Sequence, residues 1–192
     1  MRPLLLATRN AHKTREFAEI LGAEFQVQDL TTTDLAAAEE TGRTFAENAT
    51  LKALAVSRVV DELVVADDSG LEVDALKRAP GVYSARYAGE NATDEANVAK
   101  LLAALALTKD RAARFTCVIA VAQSGQLLAT FTGTVEGAIA RSRSGEHGFG
   151  YDPVFVPEHH AQTFAELPAA VKNRISHRAR AIEQLRAYLS LR

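Results

Sequence analysis

The residues best suited to chemistry lie in LVVADDSGLEVDAL, residues 63 to 76. Leu63-Val64-Val65-Ala66 reads as a buried strand, and it ends in Asp67-Asp68-Ser69-Gly70. Successive strand side chains point to opposite faces, so the two acids reach one place only if the strand stops at Ala66. Ligands of open α/β sheets gather beyond the carboxyl ends of strands. One aspartate can then enter a site and hold a hard cation such as magnesium, which takes carboxylate and phosphate oxygen together. The other caps the following turn. The alternative is an Asx-turn with both acids in water.

Five other segments carry candidate groups. In LLLATRNAHK a strand runs into a helix, with Thr8 and Asn10 at the junction and Lys13 in the first turn. A helix N-terminus favours an anion, and Lys13 adds a full charge. The same spacing fits an Asn10 cap and a solvated lysine. It is not a Walker A loop, which needs GxxxxGK[ST]. Glu39-Glu40 precede a helix and matter only if they approach another carboxylate. Thr44 and Glu47 make a capping box, and Asn48 and Lys52 share one face of the helix it opens.

Gly148-Phe149-Gly150-Tyr151-Asp152-Pro153 combines backbone freedom with two rings able to stack on a flat ligand. It can equally be a tight loop with its aromatics in the core. Lys172 and Ser176-His177-Arg178 complete the set. Ser176 fits an N-cap, so His177 and Arg178 begin a helix as cations that oppose its dipole unless an acceptor is near.

These groups need elements to hold them, and strand and helix patterns alternate along the chain, which predicts an α/β fold. Residues 4–7 read as a strand, followed by a helix from about Asn10 with Phe17, Ile20 and Leu21 inward and Gly22 as its stop. Phe25 to Leu30 reads as a second strand, and a helix follows Thr44 to about Asp61. Pro80-Gly81 marks a turn in the loop after strand 63–66. Thr93 caps a helix whose Val98, Leu101, Leu102 and Leu105 form a stripe. Residues 114–122 and 127–135 read as a hairpin, VFVP as a short strand, and the last helix carries Ile182, Leu185 and Leu189. A hairpin beside crossover helices predicts a mixed sheet.

Of 192 residues, 47% are hydrophobic and 24% charged, in the usual range for a folded domain. The formal net charge of −2 offers no basic field for nucleic acid. The single cysteine, Cys117, forms no internal disulfide and reads as a buried, inert thiol. No stretch approaches the ~20 apolar residues of a membrane span, and the N-terminus lacks a leader pattern, so the expected location is cytoplasmic. His147, His159 and His160 lack ligand spacing.

Taken in order, ATRNAHKTREFAEIL, EETGRTFAENATLKA, VVADDSGLEVDAL, APGVYSARYAGENAT, GFGYDPVF and ISHRARAI resemble the inosine/xanthosine triphosphate pyrophosphatase family, house-cleaning enzymes for aberrant purine nucleotides. The resemblance spans nearly the whole chain. It implies a single domain over 1–192, an elongated mixed sheet with flanking helices and two lobes around a long nucleotide cleft, usually as a homodimer. It implies Mg²⁺-dependent hydrolysis of ITP, dITP or XTP to the monophosphate and pyrophosphate.

By the same resemblance the loop Thr8, Arg9, Asn10, Ala11, His12 and Lys13 would hold the triphosphate, with Lys52 nearby. Glu40 and Asp68 would hold magnesium, Asp68 would activate water, and Ser69 would touch substrate. Phe149, Gly150, Tyr151 and Asp152 would form the base pocket, with Lys172, His177 and Arg178 closing it. Backbone amides and Arg178 would donate to the 6-keto oxygen that inosine and xanthosine carry and adenine lacks. Arg9 stands where many members have glycine, and would be strained if that position needs a positive φ. Three rival readings are a pyrophosphatase for pyrimidine or modified nucleotides, a non-catalytic nucleotide-binding or sensor protein, and a globular interaction module, which would leave ADDSG and GFGYDP without a purpose.

Overall fold

The computed structural model describes residues 1–35 and 38–191. Its strands are β1 (Arg2–Leu6), β2 (Phe25–Asp29), β3 (Val64–Val73), β4 (Ala112–Gln123), β5 (Gln126–Ile139) and β6 (Phe155–Pro157). Its helices are α1 (Ala11–Leu21), α2 (Phe45–Ser57), α3 (Asp94–Ala104), α4 (Ala169–Ile175) and α5 (His177–Ser190). The strands form one six-stranded sheet in the order β2-β1-β3-β4-β5-β6. β1 pairs parallel with β2 and β3, and β5 pairs antiparallel with β6, so the sheet is mixed, as the α/β pattern predicts.

The chain divides into two compact units, one of residues 1–68, 117–133 and 178–192, the other of residues 69–116 and 134–177. The first unit's core joins Leu4, Leu6, Phe17, Leu21, Val65, Ile119, Ile182 and Leu185. The apolar stripes of α1 and α5 thus close on the pleated faces of β1, β3 and β4. The second unit's core joins Leu71, Val98, Leu101, Phe115, Val154, Phe155 and Phe164. There Phe115 meets Phe155 edge-on, with ring centroids 4.7 Å apart.

Local signals account for most boundaries. The Asn10 side chain accepts from His12 N and Lys13 N and opens α1, and Gly22, at φ 73°, closes it. Thr44 Oγ1 accepts from Glu47 N, while Glu47 reaches back to Arg43 N, one residue before the usual capping-box donor. The β4–β5 hairpin turns on Ser124 and Gly125 alone, both at positive φ, which suits a type I′ turn.

Four points of the sequence reading need correcting. β3 does not stop at Ala66 but runs through Asp67-Asp68-Ser69-Gly70 to Val73, so there is no turn at the acids. α2 ends at Ser57 rather than near Asp61. The hairpin strands are longer than 114–122 and 127–135, and the short helix α4, which carries Lys172, went unrecognised.

Candidate active site

Because β3 continues, its pleat sends the adjacent acids to different partners. Asp67, 1% exposed, receives Lys13 Nζ on Oδ1 at 3.1 Å and Arg178 Nη2 on Oδ2 at 3.1 Å. Arg178, also 1% exposed, places Nη1 on Glu16 Oε2 at 2.5 Å. Cys117 Sγ lies 3.9 Å from Asp67 Oδ2, and burial pushes its thiol up to about 12, which leaves it unreactive. Asp68, 6% exposed, faces a separate set. Asn48 Nδ2 donates to its Oδ2 at 3.1 Å, and Lys52 Nζ donates to its Oδ1 at 3.2 Å. The same Lys52 ammonium lies 2.7 Å from Glu40 Oε1. Two carboxylates therefore converge on one cationic position.

The two environments drive the acids apart. Burial pushes the Asp67 carboxyl up, but the charges of Lys13, Arg178 and Lys52 together overcome it and hold the acid below the usual carboxylate range. Burial also pushes Asp68 up, and Lys52 and Lys13 do not cancel that push, to which Glu40 adds. Lys52 is itself disfavoured as a cation by burial, yet Asp68, Asp67 and Glu40 raise it. The two neighbouring acids are thus shifted in opposite directions by their surroundings.

The phosphate-loop candidates sit at the β1–α1 junction of the same unit. Thr8 Oγ1 accepts from Asn10 N at 3.1 Å, and Asn10 Oδ1 accepts from His12 N at 3.0 Å and Lys13 N at 3.2 Å. Asn10 is thus the cap, as the plainer reading had it, but Lys13 is not solvated. Ala11 and His12 are exposed in the first turn. Arg9 is not among the described residues with positive φ, so the feared strain is absent, and its Nη2 donates to Leu35 O at 2.8 Å.

The second unit holds the other candidates. Asp152, 2% exposed, accepts from Phe149 N at 2.9 Å and Lys172 Nζ at 2.5 Å, both on Oδ2. The Lys172 ammonium also lies 5.0 Å from the Phe149 ring centroid, a cation–π contact. Gly148, at φ +75°, lets the loop pass so close that an added Cβ would meet Asp152 Oδ2 at 2.0 Å. Gly150 N donates to Asp94 Oδ2 at 2.6 Å. Tyr151 is core: it is 4% exposed, its hydroxyl donates to Ser84 O at 2.8 Å, and burial raises its phenol. Half-buried Phe149 is the aromatic better placed to stack. His177 stacks on Phe115 at 4.8 Å and 13°. Ser69 lies half-buried within β3, and Ser176 ends α4 immediately before α5.

Sequence reasoning left Asn48, Glu16, Ser84 and Asp94 without a role. Asn48 alone carried a signal, its place one turn before Lys52 on α2. Among the described residues, no three His, Cys, Asp or Glu side chains group into a metal-ligand set. None of the helices among them is long and apolar enough to cross a membrane.

The family model described as the Ham1 family matches residues 4–188. This chain belongs to the Ham1 family. Relatives in the family include a protein of Oceanobacillus iheyensis named dITP/XTP pyrophosphatase, 47% identical over 98% of each chain. One of Bacillus subtilis with the same name is 48% identical over 96% of each. Among solved structures, a Ham1 protein from Coxiella burnetii superposes with a TM-score of 0.90 at 43% identity, covering all of both chains. The Staphylococcus aureus Ham1 protein does so with a TM-score of 0.87 at 44% identity over 98% of each chain. The resemblance drawn from the motifs and the α/β Ham1 fold both hold.

Proposed function

We propose that this chain is a nucleoside triphosphate pyrophosphatase that hydrolyses dITP, ITP and XTP to the monophosphate and pyrophosphate in the presence of magnesium. The observation that carries the reading is the split at Asp67-Asp68. One acid is locked between Lys13 and Arg178, and the other is raised in pKa beside Glu40 and Lys52. Relatives named dITP/XTP pyrophosphatase support it.

In this reading Asp68 accepts a proton from water as the water oxygen bonds the α-phosphorus and the bond to the bridging oxygen breaks. An ammonium has three donors, of which Asp67 takes one from Lys13, so Lys13 can also bind phosphate oxygen. The β1–α1 loop from Thr8 holds that end of the substrate. Lys52 faces the charge that develops on pyrophosphate. Glu40 and Asp68 fit a divalent cation because both are hard oxygen donors already turned to one cation, the Lys52 ammonium. Glu40 and Asp68 would hold magnesium there, and the ion would supply charge neutralisation for the phosphates.

In the second unit, Phe149 and the glycine loop would take the base. The donors expected for a 6-keto oxygen have other acceptors: Phe149 N is on Asp152, Gly150 N on Asp94, and Arg178 on Glu16 and Asp67. The choice of purine therefore rests on the names of the relatives. A cytoplasmic homodimer completes the proposal.

The test is a panel of dITP, ITP, XTP, ATP, GTP and dCTP with Mg²⁺, with both phosphate products quantified. Preferential turnover of the first three with one pyrophosphate per nucleotide is expected. Equal rates on all six, a preference for the pyrimidine, or orthophosphate alone would contradict the proposal.

A further inference from the structure

Asn48 is fully buried on α2 and makes polar contacts in two directions. Its Nδ2 donates to Asp68 Oδ2 at 3.1 Å. Its Oδ1 accepts from Gly42 N at 2.8 Å, and Gly42 follows Glu40 by two residues. One amide therefore ties the acid on β3 to the loop that carries the other acid. An amide suits the task because it offers a donor and an acceptor from one planar group, whereas a carboxylate offers acceptors alone.

Gly42 is an independent sign that the approach is built in. An added Cβ there would meet Asn48 Oδ1 at 2.6 Å and Glu47 Cβ at 2.7 Å. Gly42 is not at positive φ, so the glycine serves close approach rather than an unusual turn. Asn48 itself is fixed by helix geometry, its N donating to Thr44 O at 3.1 Å in the first turn of α2. Lys52, one turn later, bridges the same two carboxylates by charge. Asn48 thus holds by hydrogen bonds, from inside the fold, Asp68 and the backbone two residues from Glu40, while Lys52 bridges the two carboxylates from the wetter side.

We propose that Asn48 is a positioning residue that sets Glu40 and Asp68 in register for a divalent cation. The proposal deepens the pyrophosphatase reading and rests on its assignment of those two acids. Outer groups that orient metal-holding carboxylates typically govern affinity or activity by about 10–100-fold.

The experiment titrates Mn²⁺, followed by electron paramagnetic resonance, into the protein bound to α,β-methylene-ITP, beside steady-state kinetics on ITP. Wild type is compared with Asn48→Leu and Gly42→Ala. Each variant is expected to bind Mn²⁺ about tenfold more weakly or worse and to lose kcat, with KM for ITP changed less than threefold. The double variant is expected to be no worse than the poorer single one, since both act through one contact. A merely structural role would lower the melting temperature and the number of Mn²⁺ sites but leave the affinity of folded protein unchanged. Unchanged Mn²⁺ affinity in both single variants overturns the role of Asn48 and leaves the pyrophosphatase reading intact. A wild type that turns over ITP but binds no Mn²⁺ overturns the cation site and this proposal together. A wild type inactive on ITP overturns the pyrophosphatase reading itself.

Discussion

Asp67 and Asp68 are neighbours with different partners and opposed pKa shifts, so the same substitution at each should fail in opposite ways. Asp68→Asn removes the proton acceptor of the proposed reaction, whose ionised form is disfavoured by burial. It should leave the melting temperature unchanged or raised while kcat falls about 10²–10⁴-fold, the usual worth of a general base. Near-normal kcat would remove Asp68 from the chemistry. Asp67→Asn instead leaves two cations, Lys13 and the buried Arg178, facing a neutral group. Breaking a buried pair in this way costs about 3–5 kcal/mol, measurable by urea unfolding.

The sign of the pH dependence follows from the lowered carboxyl. Asp67's contribution is full above about pH 4, where an unfolded aspartate is ionised, and is lost as pH falls below that towards its lower folded value. The stability gap between wild type and Asp67→Asn should therefore be flat from neutrality to about pH 5 and narrow below pH 4. A gap that widens on acidification would mean that Asp67 is not ionised in the folded protein.

At the scale of elements, the glycine loop before β6 depends on Gly148. Alanine there would combine a positive φ with a Cβ 2.0 Å from Asp152 Oδ2. Gly148→Ala should cost about 1–3 kcal/mol from the backbone alone and raise KM for nucleotide, read by thermal unfolding and steady-state kinetics. Unaltered stability would show that the loop relaxes freely.

The elements differ in how legible they were. α1, the α2 cap and the β4–β5 hairpin were readable because their determinants lie within a few residues: Asn10 over Lys13, Thr44 over Glu47, Ser124-Gly125 in the turn. β3 was not. Asp-Asp-Ser-Gly is turn-like locally, and what keeps it extended lies far along the chain. Arg178 is 111 positions from Asp67, and Asn48 is 20 from Asp68. A strand with two buried acids becomes plausible only once those partners are known. The same distance hid Asn48 and Glu16. Lys52 was placed on the right helix face, but its burial beside Glu40 and Asp68 was not legible from spacing.

At the scale of the molecule, each unit has its own apolar core and its own set of candidate residues, and β3, β4 and β5 run through both units as continuous strands. Glu40, Asp68 and the β1–α1 loop lie in one unit, Phe149, Asp152 and Lys172 in the other. The family was legible in the motif order, because each motif marks a place where charge or glycine is costly and needs a reason. Purine choice was not legible from the residues, and the expected keto donors turn out to be occupied.

The proposed activity depends on attack at the α-phosphorus by a water that Asp68 activates. The most direct measurement is hydrolysis of dITP in ¹⁸O-labelled water, with mass spectrometry of both products. One ¹⁸O in the nucleoside monophosphate and none in the pyrophosphate is the predicted result. Label in the pyrophosphate, or release of labelled orthophosphate, would contradict it.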